Sequence, residues 1–136
     1  MKRILATFGA AAVLAAGAVT LTPASASAAS GCWGNAGTKT DPDGRTYTAH
    51  YCHAYQSGDI IWYRNKIGEL YAGDNWFVCQ TKDPSYPNPP VGSARNDWWL
   101  YTQGDTGSEH HAWGWFPATK ISGGGNYGPI PGLPTC

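Results

Sequence analysis

Four histidines, His50, His53, His110 and His111, and the carboxylates Asp59, Glu69, Asp74, Asp97, Asp105 and Glu109 are the side chains that could carry acid–base or metal chemistry. His50 and His53 flank a tyrosine and a cysteine in "HYCH". Three residues apart on a strand, they point to opposite faces and cannot chelate one ion together. A structural zinc would also need reduced cysteines. His110 and His111 follow Glu109 in "GDTGSEHH", which reads as a solvated polar loop. Glycoside cleavage needs two carboxylates held across a cleft, and nothing in the spacing singles out a pair. Glu69 and Asp74 flank a turn. The glycines of "SGGGNYG" follow no nucleotide-binding pattern. The expectation is therefore no catalytic residue, no metal and no cofactor.

The other chemistry on offer is aromatic. "WGWFPATKIS" (113–122) packs three rings into four residues. From residue 29 onward there are seventeen Trp, Tyr and Phe but only ten Leu, Ile and Val. A core must then draw on rings. Seventeen exceed what so small a domain hides, and exposed Trp and Tyr clusters mark binding grooves. Trp62, Tyr63, Trp99, Tyr101 and Trp113 are the expected ligand-binding residues, because they sit on strands beside the two long loops. Flat rings with few charges suit sugar faces or extended peptide. "WGWF" itself reads first as a core-closing strand. Trp113 and Trp115 share one face, with Trp115 buried, and Gly114 admits a close neighbour. Of Trp98 and Trp99, one faces inward and one outward.

These residues need a compartment and a frame. Residues 1–28 read as a secretory signal peptide, with Lys2 and Arg3, an apolar run to Leu21, and Ala-Ser-Ala triplets ending at Ala28. "ASGC" lacks the large aliphatic residue of a lipid-attachment site, since Ala29 stands third before Cys32. The mature chain is expected to be secreted, with no membrane insertion after cleavage. Its 108 residues suit one monomeric domain. Loss of Lys2 and Arg3 leaves seven basic against nine acidic residues, with no basic cluster, which argues against nucleic acid. Cys32, Cys52, Cys79 and Cys136 form two disulfides. Three pairings are possible, and Cys32–Cys52 with Cys79–Cys136 is favoured.

Gly and Pro recur too often for long helices. Short aromatic and β-branched runs at 45–52, 59–65, 75–80, 97–103 and 112–116 read as strands. Residues 82–96, with four prolines, and 104–111 read as loops, and 123–136 as a Pro/Gly-rich tail. The fold class is all-β, a small barrel or a packed pair of sheets.

The stretch from Ile60 to Ile121 resembles the bacterial SH3-like (Src-homology-3-type) domain. The resemblance rests on Trp62-Tyr63-Arg64, on "GELYAGD" (68–74), on Trp76-Phe77-Val78, on "DWWLY" (97–101) and on the closing "GWFPA" (114–118). The whole is similar to small exported actinobacterial proteins carrying one such domain and no enzyme. The loop 82–96 is longer than the family's usual. The resemblance implies an SH3-like β-barrel over 57–122, an N-terminal extension over 29–56 and a disulfide-tethered tail over 123–136. It also implies a non-enzymatic module binding cell-wall glycan or peptide, or an extracellular protein. A secreted inhibitor of a protease or glycosidase, with 82–96 as its inhibitory loop, is the alternative. An interaction protein of the exported surface is the third reading. Intact-mass measurement is expected to give a chain starting near Ala29 that gains one hydrogen per cysteine on reduction. Free thiols, or lipid on Cys32, would contradict this.

Overall fold

The computed structural model describes residues 31–136, so the expected signal peptide lies outside the described residues. The described chain is all-β. Its strands in order are β1 (Cys32–Trp33), β2 (Thr38–Thr40), β3 (Thr46–Thr48), β4 (His50–Ala54), β5 (Gly58–Trp62), β6 (Asn65–Leu70), β7 (Gly73–Phe77), β8 (Cys79–Lys82), β9 (Trp98–Gln103), β10 (Thr106–Gly107) and β11 (Trp113–Pro117). Short 3-10 turns at Glu109–Ala112 and Ala118–Lys120 flank β11. The strands form three antiparallel sheets rather than one closed barrel. The largest has the order β10-β6-β5-β11-β9-β8, a second has β1-β4-β7, and β2 pairs with β3.

Three of the expected strands divide. Residues 45–52 break at Ala49, which separates β3 from β4. Residues 59–65 turn back at Tyr63-Arg64, giving the β5–β6 hairpin. Residues 75–80 break at Val78, where the chain changes partners: Phe77 opposes His50 of β4, whereas Cys79 opposes Tyr101 of β9. Ala54, at the end of β4, also bridges to Ile121, just past the 3-10 turn that follows β11. Along β9 and β11 the expected strands hold almost to the residue.

Two cores result. One is largely aliphatic and gathers Ile60, Leu70, Phe77, Leu100, Phe116, Ile121, Ile130 and Leu133. The other holds Ala49, Val78, Cys79, Tyr101 and Trp113, with Tyr47, Trp62, Trp76 and Trp115 packed against it. Alternation along β11 sends Phe116 to the first and Trp113 and Trp115 to the second. Trp98 and Trp99 also diverge. Trp98 packs against the aliphatic core, while Trp99 is buried under Tyr86.

The segments expected as an extension and a tail are parts of this fold. Cys52 and Ala54 are fully buried, as is Ala49. In the tail, Ile130 and Leu133 enter the aliphatic core, and the buried Gln80 side chain secures them. Its Nε2 donates to the carbonyls of Ile130 and Leu133 at 2.9 and 2.7 Å, and its Oε1 accepts from the Ile130 amide at 2.8 Å. Both favoured disulfides are present, closing sequence separations of 20 and 57 residues. In the chain-entropy model each is worth roughly 3–4 kcal/mol.

Gly114 is where β11 meets β5. A Cβ there would stand 2.6 Å from the Ile61 carbonyl oxygen and 2.7 Å from Ile60 Cγ2. Both are contacts that a packed core cannot give freely. Gly114→Ala is expected to lower unfolding free energy by about 1–3 kcal/mol, read by urea denaturation. An unchanged midpoint would contradict this close approach.

Candidate functional site: an aromatic cleft

The β5–β6 hairpin turns on two residues, Tyr63 and Arg64, with φ of 47° and 66°. Two-residue hairpin turns with positive φ at both positions favour Asn-Gly. Bulky residues held there cost about 1 kcal/mol or more each. The turn presents the Tyr63 ring to solvent, 82% exposed, edge-on to Trp62 at 5.0 Å. Arg64 instead folds back toward the proline-rich loop. Its Nη2 donates to Ser85 Oγ at 2.8 Å and lies 3.7 Å from Asp83 Oδ2, and its guanidinium covers the Tyr86 ring at 4.8 Å. The Ser85 hydroxyl, followed by its amide and Arg64, holds the Asp83 carboxyl below the usual carboxylate range.

Tyr86 continues the stack. It lies on Trp99 at 5.3 Å and 18°, and its carbonyl accepts from Trp99 Nε1 at 2.8 Å. Between the hairpin tip and this Arg64–Tyr86–Trp99 stack lies a cleft of about 320 Å³, floored by Ile61, Trp99 and Trp115. A second depression shares Ile61, Tyr86 and Trp99 with it and is lined further by Pro87 to Pro90, Pro117, Asp59, Glu69 and Lys120. The loop is tied down. Asn88 donates to the Trp98 carbonyl at 3.0 Å and accepts from the Thr119 amide at 3.1 Å, while Thr119 Oγ1 donates to the Pro89 carbonyl at 2.8 Å.

Three of the five expected binding residues, Trp62, Tyr63 and Trp99, line this cleft. Tyr101 and Trp113 do not line it. Both are buried in the aromatic core, where Trp113 packs between Tyr101 and Trp76 at 5.2 and 5.3 Å. Strand alternation gave their face, but the β2–β3 hairpin that covers that face is a tertiary contact. Trp115 departs in the other sense: expected in the core, it is only partly buried and helps floor the cleft. Tyr86, in the proline-rich loop, carried no strand pattern, and Arg64 was read as part of the strand 59–65 and not as a turn residue that reaches back to Tyr86.

His110 is also displaced from its expected solvated loop. It stacks on Trp62 at 3.8 Å and 12°, and its Nδ1 donates to the Trp113 carbonyl at 2.9 Å. That contact braces the rear of Trp62. His50 Nδ1 donates to the Gly34 carbonyl, and His53 bonds Asp74. Asp59 pairs with Lys66 at 3.0 Å and Asp97 with Lys82 at 3.3 Å. Among the described residues no three His, Cys, Asp or Glu side chains are grouped to hold a metal.

Comparison with protein-family models, curated proteins and solved structures returns no match. The cleft is therefore read from its own chemistry.

Behind the cleft, Tyr101 donates to Asp41 Oδ2 at 3.1 Å. Burial, reinforced by the Asp41 charge and this hydrogen bond, pushes the Tyr101 phenol well above the ordinary tyrosine range. At Asp41, burial alone would raise the carboxyl. The amide of Arg45, the Tyr101 hydroxyl, the amide of Asp43 and the Arg45 guanidinium together outweigh it and hold Asp41 below its ordinary value. A lowered carboxyl contributes stability above pH ~4 that is lost on acidification. A raised phenol contributes stability below pH ~10 that is lost as pH rises further. Denaturation midpoints should thus fall at both extremes, and Asp41→Asn should weaken both dependences. An unaltered pH profile in that variant would contradict this linkage.

Proposed function

We propose that this chain is a secreted, non-enzymatic SH3-like module that binds cell-wall or extracellular glycan or peptide in the Trp62–Trp99 cleft. The observation that carries the reading is Tyr63, displayed at an unfavourable turn beside an apolar cleft whose other rings are fixed. A chain gains nothing in stability from a bulky aromatic held out in water at positive φ. The preorganised rings lose little entropy when a ligand is seated. The elongated shape, from the hairpin tip past Tyr86 to Asp59, suits a polymer better than a compact metabolite.

The SH3-like assignment draws on the order β5 to β11 with the closing "GWFPA" element, the 3-10 turn at Ala118–Lys120 and the bridge at Ile121. Secretion draws support from the two disulfides, which persist in an oxidising compartment. The module acts as a monomer without metal or cofactor, and it binds neither nucleic acid nor membrane. The inhibitor reading retains one supporting observation: the tethered loop, with Pro89 and Pro90 exposed, is stiff enough to enter another protein's groove.

Sedimentation with insoluble peptidoglycan tests the proposal. Binding should depend weakly on salt, because screening acts on charges and not on ring contacts. Tyr63→Ala, at an exposed position, should weaken it at least tenfold, about 1.4 kcal/mol, with an unchanged thermal melt. Binding lost at high salt, or indifferent to Tyr63, would remove the cleft proposal and leave the inhibitor reading ahead.

A further inference from the structure

A second aromatic surface lies on the β1–β4–β7 sheet and shares no residue with the cleft. Alternation along β4 buries Cys52 and Ala54 and turns Tyr51 and His53 outward. Tyr51 stands in register with Trp33 of β1 on one side and Trp76 of β7 on the other. Trp33 and Tyr51 are 46% and 40% exposed, with ring centroids 6.1 Å apart and planes inclined by 30°. A solvated sheet face is ordinarily polar, so two adjacent exposed rings there call for a reason.

The pair is also fixed in place. The neighbouring register position, Cys32 opposite Cys52, is a disulfide. The covalent link pins the two-residue strand β1 against β4, so Trp33 is held beside Tyr51 before any ligand arrives. His50 Nδ1 donates to the Gly34 carbonyl at 2.7 Å and holds the turn that follows Trp33.

One rung along the same face, about 7 Å away by strand geometry, His53 pairs with Asp74 in register. His53 Nδ1 lies 2.7 Å from Asp74 Oδ1, and both side chains are about half exposed. In the tautomer that gives Nδ1–H to the carboxylate, Nε2 is left as an acceptor, and Asp74 keeps Oδ2 as another. The face therefore offers two ring surfaces and, beside them, acceptor atoms. Its complement has a flat C–H surface edged by O–H donors and carries no negative charge. A pyranose ring with equatorial hydroxyls has that form.

We propose that this face binds a neutral hexopyranose glycan with equatorial hydroxyls, with a sugar ring on Trp33 and Tyr51 and its hydroxyls donating to Asp74 and His53. The site is independent of the cleft, so a polymer engaging both would be held bivalently.

The test is a nuclear magnetic resonance titration of the full mature protein with the β-1,4-linked hexamer of N-acetylglucosamine. Shifts should centre on the Trp33 indole and on Tyr51, His53 and Asp74. Trp33→Ala and Tyr51→Ala should each weaken binding at least tenfold, and Asp74→Asn several-fold. The losses in Trp33→Ala and Tyr51→Ala should persist at the same size in a Tyr63→Ala background, which separates this site from the cleft. Should Trp33→Ala fail to fold, the wild-type shift map and Tyr51→Ala still decide. An unperturbed Trp33 indole, shifts confined to the Trp62–Trp99 cleft, or equal affinity in the Tyr51 variant would overturn the proposal.

Discussion

The backbone contact between β11 and β5 at Gly114 governs most of what this domain does. Because no side chain stands between Gly114 and the Ile61 carbonyl, β11 lies tight against β5 and pairs with β9 on its other edge. That central position lets one strand supply Phe116 to an aliphatic core and Trp113 and Trp115 to an aromatic one. β5 leads into the Tyr63-Arg64 turn, and β9 carries Trp99 beneath Tyr86. The cleft lies between that turn and the Tyr86–Trp99 stack, with Trp115 of β11 on its floor.

A shortage of aliphatic residues explains why the cores are separate. Ten Leu, Ile and Val from residue 29 onward cannot fill one continuous interior between these sheets. Rings fill the remainder, but Tyr and Trp bring polar atoms that need partners when buried. Tyr101 finds Asp41, and Trp99 finds the Tyr86 carbonyl. The turn at 41–44 and the proline-rich loop are thereby drawn onto the sheet. The polar handles of the core rings order the loops, and an ordered loop becomes the wall of a binding cleft.

Much of this was legible in the residues. The all-β class, β9 and β11, the shared face of Trp113 and Trp115 and the close approach at Gly114 followed from composition and period-two alternation, and of three possible disulfide pairings the favoured one is present. The interruptions were not legible. A Tyr-Arg turn lacks the glycine or asparagine that marks a hairpin, and Val78 carries no sign that the chain changes partners there. Burial of Tyr101 and Trp113 depends on a hairpin folding over them, which alternation along one strand does not report. The Trp33–Tyr51 pair escaped for a similar reason. β1 is two residues long, and only the Cys32–Cys52 link and the register bring its tryptophan to Tyr51.

The central claim is that the rings lining the cleft, not those of the aromatic core, touch the ligand. Indole Nε1–H resonances distinguish them directly. On adding soluble peptidoglycan fragments, the account predicts perturbed signals from Trp62, Trp99 and Trp115, with Trp98 and the core residue Trp113 unmoved. Fragments that bind while leaving those three indoles unchanged would contradict it.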